Sequence, residues 1–191
     1  FLVDGYFNPI GSQMLGYALL VALGILAWLI YLVDAFRNRL RKKADILMKT
    51  SSLSFLFLIG GLAVLPQTFS TDTRWATLYG IFLFLGWITA LILGQTFKTL
   101  PFIVWNAHYK SWTGKIKVPL PKNLYRNRLV VWQHYLFLLA MSVLVIGLLG
   151  QWLTLTRIGL LLWILLAAIY VWNVFTIIFH KPLLPHGNSA Q

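Results

Sequence analysis

Residues 158–179 read IGLLLWILLAAIYVWNVFTIIF, an apolar run without a charged side chain. A stretch of about 20 apolar residues is long enough to cross the hydrocarbon core of a bilayer as an α-helix. The whole chain shares this character, because 59% of its 191 residues are hydrophobic, 10% are charged and the mean hydropathy is +0.77. An average soluble domain has about 25% charged residues. A soluble globular protein is therefore excluded.

Four further apolar runs of similar length precede this one. We therefore predict an all-α protein, a polytopic transmembrane helical bundle of about five spans that forms a single membrane domain over residues 1–191. The predicted spans cover residues 13–36, 51–69, 75–97, 129–153 and 158–179. The predicted cytoplasmic loops cover residues 37–50 and 98–128. The sequence begins with Phe1 rather than Met, so we expect this domain to be the C-terminal part of a larger protein.

The cationic side chains lie almost entirely on one side of the predicted bundle. Of the 16 Lys and Arg residues, all but Arg74 and Arg157 fall in the two long loops or in the tail after residue 179. Cytoplasmic loops of membrane proteins carry such an excess. We therefore expect the first residue outside and the last residue in the cytoplasm, in a multi-pass protein of the bacterial cytoplasmic (inner) membrane. The net charge of +12 reflects this topology, and no nucleic acid partner is expected.

Residues that carry out chemistry are scarce in this sequence. There is no Cys, and the 4 acidic residues are Asp4, Asp34, Asp45 and Asp72, none of them near the middle of a predicted span. Ion-coupled transporters and pumps usually keep a carboxylate inside the bundle, so a self-contained transporter of that kind is disfavoured. No motif for hydrolysis or phosphoryl transfer occurs either. We expect no catalytic residues in this chain.

Histidines are the residues best suited to hold a cofactor. Haem in membrane bundles is commonly bound by His side chains on facing helices. His134 lies about one to two turns inside the fourth predicted span, and His180 ends the fifth span on the same side. If these spans pack as a hairpin, the two rings fall within one layer, which makes both candidate haem ligands. Interfacial hydrogen bonding of each ring is the alternative, and no separate metal site is predicted.

Uncharged polar side chains within the spans form a second group of candidates. Gln95 and Thr96 suit a polar pocket at the cytoplasmic interface, and Gln133 and Asn173 suit a contact across the last hairpin. Simple helix cohesion is the alternative for each of them, since a hydrogen bond between membrane helices contributes about 0.6 to 2 kcal/mol.

The longest polar segment, residues 106–128, is rich in Lys and Arg. We predict that it forms an ordered loop on the membrane face. Its residues Lys115, Lys117 and Lys122 are candidates for binding anionic lipid headgroups, an attraction of about 1 kcal/mol per cation near the surface. A solvated basic loop explains the same residues.

Part of the chain resembles a known group of proteins. The segments WATLYG at 75–80, LGW at 85–87 and GQTFKTLPFIVW at 94–105 are similar to bacterial membrane proteins distantly related to haem-copper oxidase subunit I. The resemblance covers residues 75–134. It implies a larger bundle of paired helices that binds haem and works in respiration or nitrogen-oxide metabolism. The closely spaced His pair that anchors haem and copper in true oxidases has no counterpart here, so no residue is carried over as a ligand.

Three functions follow from these observations. The first is an integral membrane subunit or fragment of a respiratory or other electron-transfer complex that serves mainly as a scaffold, with membrane lipids and other transmembrane subunits as partners. The second is half of a transporter for a neutral small molecule or lipid, with Gln95, Thr96 and Asn173 along its path. The third is a b-type haem-binding redox subunit that uses His134 and His180.

Overall fold

The computed structural model describes residues 12–38, 45–115 and 117–181, and most of these residues are helical. The long helices are α1 (Ser12–Arg37), α2 (Ile46–Val64), α4 (Asn127–Leu149) and α5 (Leu153–Ile178). Between α2 and α4, α3 runs continuously through the segments Thr73–Gly80, Ile81–Ile88 and Thr89–Tyr109. Among the described residues, five helices are long and apolar enough to cross a membrane. This confirms the all-helical prediction with about five spans, whereas the two chain ends, whose sidedness is predicted, lie outside the described residues.

The chain divides into two units, Phe1–Ala44 and Asp45–Gln191. In the first unit, α1 exposes large apolar side chains along its length, among them Leu20, Ile30 and Tyr31. A helix with this surface is suited to lipid or to other apolar helices. The cationic run at residues 39–44 lies outside the described residues.

Aspartates set the first residues of two helices in the second unit. The Asp45 side chain caps α2 and accepts a hydrogen bond of 2.7 Å from the backbone N–H of Ile46. Asp72 caps α3 and accepts from the backbone N–H of Arg74 at 3.0 Å. The side-chain hydrogen bond from Arg74 also holds the pKa of Asp72 below its ordinary value. Because the cap determines where a helix begins, α2 starts earlier than the predicted span start at residue 51.

α3 continues well past residue 97, where the predicted third span ends. Lys98 is exposed on the helix and Pro101 is buried inside it. Lysine is a good helix former, so its charge ends an apolar run without ending the helix. Pro101 lacks an N–H and leaves the carbonyl of Phe97 without its usual helical partner, which permits a bend there. The first part of the predicted loop at 98–128 is therefore helical.

The middle segment of α3, Ile81–Ile88, is wound as a π-helix. Its backbone hydrogen bonds reach one residue further than those of an α-helix, and the hydroxyl of Thr89 donates to the carbonyl of Phe84 at 2.9 Å. Gly86 lies within this segment against α2, so close that an added Cβ would be 2.7 Å from Cβ of Phe57. The unusual winding therefore lies at a close contact between two helices.

Two hydrophobic clusters fill the second unit. The central cluster consists of Ala90, Leu93, Phe137, Met141 and Leu166. The basic-end cluster consists of Leu47, Phe97, Val130 and Ile177. The start of α2, the C-terminal half of α3, the start of α4 and the end of α5 thus meet at one end of the unit, which we call the basic end for its many cations. The opposite end, with the short connections at residues 65–72 and 150–152, is called the turn end.

The hairpin of α4 and α5 is closed by two glycines near the turn end. A Cβ on Gly147 would lie 2.6 Å from the backbone nitrogen of Thr156, and a Cβ on Gly159 would lie 2.9 Å from Cα of Leu144. Backbone atoms cannot rotate aside as the tip of a side chain does, so these contacts require glycine. Leu144 therefore lies directly opposite Gly159, which gives the register of the hairpin.

Candidate functional site: a buried polar layer at the basic end

A layer of polar side chains separates the two hydrophobic clusters of the second unit. On α2, Thr50 and Ser51 stand between Leu47 of the basic-end cluster and Leu53, which packs against the central cluster. On α3, α4 and α5, too, polar residues lie between a residue of the basic-end cluster and a residue of the central cluster. The polar layer comprises Thr50, Ser51, Gln95, Thr96, Gln133, His134, Tyr170 and Asn173. Four of these side chains, those of Thr50, Ser51, Gln133 and Asn173, are at most 7% exposed, so their polar atoms need partners inside the protein. Gln95 is exposed at the edge of the layer.

His134 on α4 is tied to α2 within this layer. Its Nδ1 lies 2.8 Å from Oγ1 of Thr50, and that hydroxyl also lies 3.0 Å from the carbonyl oxygen of Ile46. A threonine hydroxyl has one proton to donate. With that proton on the Ile46 carbonyl, Nδ1 of His134 is the donor to Thr50, and Nε2 is the unprotonated nitrogen of the neutral ring. The bond joins two helices that are far apart in sequence.

Gln95 and Thr96 bond in different directions. Nε2 of Gln95 donates to Oγ of Ser51 on α2 at 3.1 Å. Oγ1 of Thr96 lies 3.1 Å from the hydroxyl of Tyr170 on α5 and also donates to the carbonyl of Ile92 at 2.7 Å. The two residues therefore tie α3 to two neighbouring helices, as in the helix-cohesion alternative.

Gln133 and Asn173 are both buried, at 2% and 0% exposure. Oδ1 of Asn173 accepts a hydrogen bond of 3.3 Å from the backbone N–H of Arg126, just before α4 begins. Oε1 of Gln133 and Nδ2 of Asn173 have no hydrogen-bond partner among the described residues, so no bond joins these two amides through those atoms. A buried polar atom without a partner costs about 1 to 3 kcal/mol.

His180 lies past the end of α5 and bonds to α3. Its Nε2 is 2.8 Å from the hydroxyl of Tyr109, and the two ring centroids are 5.9 Å apart. Tyr109 is only 2% exposed, so this pair closes the basic end of the bundle beyond the polar layer.

The hairpin register separates the two candidate haem ligands. Leu144 lies opposite Gly159. Because the two helices are antiparallel, the residue ten positions before Leu144, His134, lies at the level of the residue ten positions after Gly159, Ile169. His180 is then about 11 residues, or roughly 16 Å, further along the bundle axis. Each ring is also hydrogen-bonded to a different helix. The two residues do not share one layer, and a haem held by both rings on one iron does not fit this arrangement.

The connection from α3 to α4 is fastened to the basic end by several contacts. Nε1 of Trp105 donates to the carbonyl of Pro119 at 2.6 Å, and Leu124 is buried. The ring of Tyr125 lies 5.6 Å from that of Phe97. Burial and, secondarily, the negative charge of Asp45 raise the pKa of Tyr125.

The three lysines predicted to bind headgroups, Lys115, Lys117 and Lys122, are all exposed on this fastened connection. Lys122 lies in a short 3-10 turn, Pro121–Asn123. The cations thus project from a backbone that is held to the protein on both sides.

Sequence reasoning missed Thr50, Ser51, Tyr109 and Tyr170 as site residues. Thr50 and Ser51 fall at the predicted boundary between a loop and a span, where small polar residues are ordinary. The available signal was the cluster of hydroxyl residues from Thr50 to Ser54, all of which must find partners once they are in a membrane helix. The indole Nε1 atoms of Trp87 and Trp163 were missed as well; both are buried without a partner among the described residues.

Within residues 12–38, 45–115 and 117–181, no group of three or more His, Cys, Asp or Glu side chains is placed to hold a metal ion. Comparisons with protein-family models, with curated proteins and with solved structures find no match for this chain. The polar layer and the basic end are therefore the features on which a function can be based.

Proposed function

We propose that this chain is a helix-packing component of a larger membrane assembly of the respiratory or another electron-transfer class. The observation that carries the proposal is the bonding of the polar layer: Thr50, Gln95 and Thr96 each hydrogen-bond to a neighbouring helix of the same unit. Side chains used in this way hold helices in place. They are not free to bind a substrate along a path through the bundle.

The charge distribution supports the same role. In the second unit the carboxylates are Asp45 and Asp72, and each caps the start of a helix. The spans of this unit therefore have no carboxylate with which to bind or release protons within the membrane. A packing component needs none.

The outer surfaces of the helices supply the contacts that an assembly requires. Trp132 and Tyr135 on α4 and Ile164 and Trp172 on α5 are all at least 61% exposed. Apolar faces of this kind contact lipid, and aromatic side chains also serve as contacts between protein surfaces. The electron-transfer class of the assembly rests on the sequence resemblance over residues 75–134.

Isolation from the native membrane tests this role. The tagged chain is extracted in a mild detergent and run on a native gel, and the gel band is examined by absorption spectroscopy. We expect migration with other transmembrane chains and a Soret band that survives His134→Phe and His180→Phe. Migration of the chain by itself contradicts the proposal. Loss of the Soret band with His134→Phe alone would support the haem-binding alternative, with a second ligand other than His180.

A transporter half for a neutral molecule is favoured by one observation, the unpartnered Oε1 of Gln133 and Nδ2 of Asn173. An acceptor and a donor without partners suit a small polar molecule. Replacing both residues with Leu separates the two functions: a packing component keeps its place in the assembly, whereas a transporter loses uptake of its neutral substrate into vesicles.

The orientation and the membrane are part of the proposal. The basic end faces the cytoplasm of a bacterial inner membrane, as the excess of Lys and Arg at this end favours. These 191 residues contain no Cys, so a single Ser111→Cys variant, at an exposed position of the basic end, reports the side directly. We expect a membrane-impermeant maleimide to label it only after the cells are permeabilised. Labelling of intact cells would contradict this orientation.

A further inference from the structure

The helical segment that contains α3, Thr73–Trp112, is too long to lie within a bilayer. It has 40 residues and a length of roughly 60 Å, whereas the hydrocarbon core is about 30 Å thick. About 20 residues from Thr73 cross the core, so the helix leaves the hydrocarbon a little before the exposed Lys98. The residues after Lys98 must then lie at the membrane surface or beyond it.

Contacts with the end of the bundle choose between these two positions. Phe97 packs with Ile177 in the basic-end cluster, and Tyr109 bonds to His180. From Phe97 to Tyr109 a helix advances about 18 Å, but from Ile177 to His180 the chain advances only about 5 Å at the same rise. Long side chains span part of this difference of about 13 Å, but Val104 also packs against the basic-end cluster although it lies about 10 Å beyond Phe97 along a straight helix. The part of α3 after Pro101 therefore stays against the basic end of the bundle.

We call residues 101–115 and 117–126 the arm. Its surface combines apolar and cationic groups. Phe102 and Ile103 are 53% and 62% exposed although they lie beyond the spanning part of α3. Exposed cations on the arm and directly beside it are Lys98, Lys110, Lys115, Lys117, Lys122, Arg126 and Arg128. A helix that lies in the interface presents the same combination, with apolar side chains in the acyl boundary and cations among the headgroups.

The carboxylates of the second unit are too few to neutralise the cations of the arm. Asp45, whose charge acts on Tyr125 of the arm, is a single carboxylate that caps α2, and Asp72 pairs with Arg74 at the turn end. Topology requires only that cations be present on one side, in any arrangement. Here Trp105, Leu124 and the backbone N–H of Arg126 hold the arm to the basic end, so its cations are presented from a fixed backbone. An anion bound there offsets part of their positive charge.

We propose that the arm lies on the membrane surface and binds the phosphate headgroups of anionic phospholipids in the bilayer that holds the chain. The bilayer is the source of the anion because the exposed Phe102 and Ile103 bring the arm into the acyl boundary. Headgroup binding is independent of the assembly role proposed above.

Lipid titration of the purified full chain tests the charge requirement. Native mass spectrometry in an uncharged detergent measures binding of phosphatidylglycerol and, separately, of phosphatidylcholine. We expect tighter binding of phosphatidylglycerol, weakened about five-fold for each cation removed in Lys117→Gln/Lys122→Gln. The control Arg74→Gln/Arg157→Gln removes the same net charge from the turn end and should leave binding unchanged. Equal binding of the two lipids, or equal weakening in both variants, overturns the proposal.

A second measurement tests the position of the arm. Single-Cys variants Ile103→Cys and Leu139→Cys carry a nitroxide label, and the depth of each label is measured in vesicles of phosphatidylglycerol and phosphatidylcholine. Leu139 is 52% exposed on α4 and serves as the reference inside the hydrocarbon. We expect the Ile103 label at the level of the headgroups and upper acyl chains. A label in bulk water, or as deep as that at Leu139, overturns the proposal.

Discussion

In the four-helix unit α2–α5, helices linked by a short connection pack through glycines, α4 with α5 at Gly147 and α2 with α3 at Gly94. Helices that no short connection links are joined instead by hydrogen-bonded side chains at the basic end. At the turn end, Gly147 and Gly159 bring the backbones of α4 and α5 into contact next to a short connection. The bonds at the basic end are Thr50–His134 and Thr96–Tyr170. A tight turn already determines which helices are neighbours, so close contact suffices there. Distant helices need directional bonds to select their partners.

The largest effect is expected at the turn end, from Gly147→Ala. The new Cβ would lie 2.6 Å from the backbone nitrogen of Thr156 and would force α4 and α5 apart. We expect a loss of about 2 to 3 kcal/mol in the free energy of unfolding, measured by denaturant titration in detergent micelles. Gly80→Ala is the matched control, because its Cβ would meet nothing within 4 Å. If both variants have the same stability, glycine contact does not hold the hairpin.

A smaller loss is expected at the basic end, from Thr50→Val. The variant leaves Nδ1 of His134 without its 2.8 Å partner, at a cost of about 1 kcal/mol. A double-mutant cycle with His134→Phe should give a coupling free energy of similar size. Thr77→Val serves as control, since Thr77 is exposed and bonds only to the carbonyl of Thr73 in its own helix. If the effects of the two mutations are additive, the Thr50–His134 bond does not contribute to the pairing of α2 with α4.

The fastening of the arm is expected to change local rather than global stability. Trp105→Phe removes the 2.6 Å hydrogen bond to the Pro119 carbonyl and keeps an aromatic ring. We expect trypsin to cleave after Lys115, Lys117 or Lys122 about five-fold faster, which corresponds to about 1 kcal/mol of local opening. Trp112→Phe leaves the bond in place and should be cleaved at the wild-type rate. An unchanged rate in Trp105→Phe means that other contacts hold the arm.

The smallest effect is expected from the titration of Tyr125. Its pKa is raised in the folded state, first by burial and then by Asp45. The folded chain therefore keeps the phenol proton more tightly than the unfolded chain, whose Tyr titrates near pH ~10. This contribution is complete below that pH and is lost as the pH rises through the folded-state pKa. We expect the Tm of the wild type to fall relative to that of Tyr125→Phe above pH ~10. Parallel curves of Tm against pH for the two proteins would contradict this prediction.

The sequence predicted the helical membrane class because apolar runs of about 20 residues have few other solutions. The sequence predicted the helix boundaries less well. The charges of Lys49 and Lys98 interrupt the apolar runs, whereas the helices begin at the Asp45 cap and continue through Lys98 because lysine is a good helix former. The arm illustrates this: Lys98 ends the apolar run, and α3 continues to Tyr109.

The candidate site was predicted by residue type but not by pairing. Gln95, Thr96, Gln133 and Asn173 were selected as polar residues within spans, and all four lie in the polar layer. Their partners depend on how each helix is rotated about its axis, which a single sequence does not specify. His134 and His180 were placed in one layer because the hairpin register was unknown, and that register depends on the contact of Gly159 with Leu144.

The π-helical winding of Ile81–Ile88 sets the angular phase of everything that follows it in α3. Each residue of a π-helix turns the chain through a smaller angle than the roughly 100° of an α-helix, so the segment offsets the later side chains around the axis. This offset changes the direction in which later side chains point, among them those of Gln95, Phe97 and the arm. Eight π-helical residues turn the chain about as far as seven α-helical ones, so deleting one residue here lets the segment rewind as an α-helix and keeps the later side chains in phase. A deletion within the α-helical segment Thr89–Tyr109 would instead turn the residues that follow it by roughly 100° about the axis. The winding of these eight residues in the apolar region therefore helps to determine the direction in which the cations of the arm face.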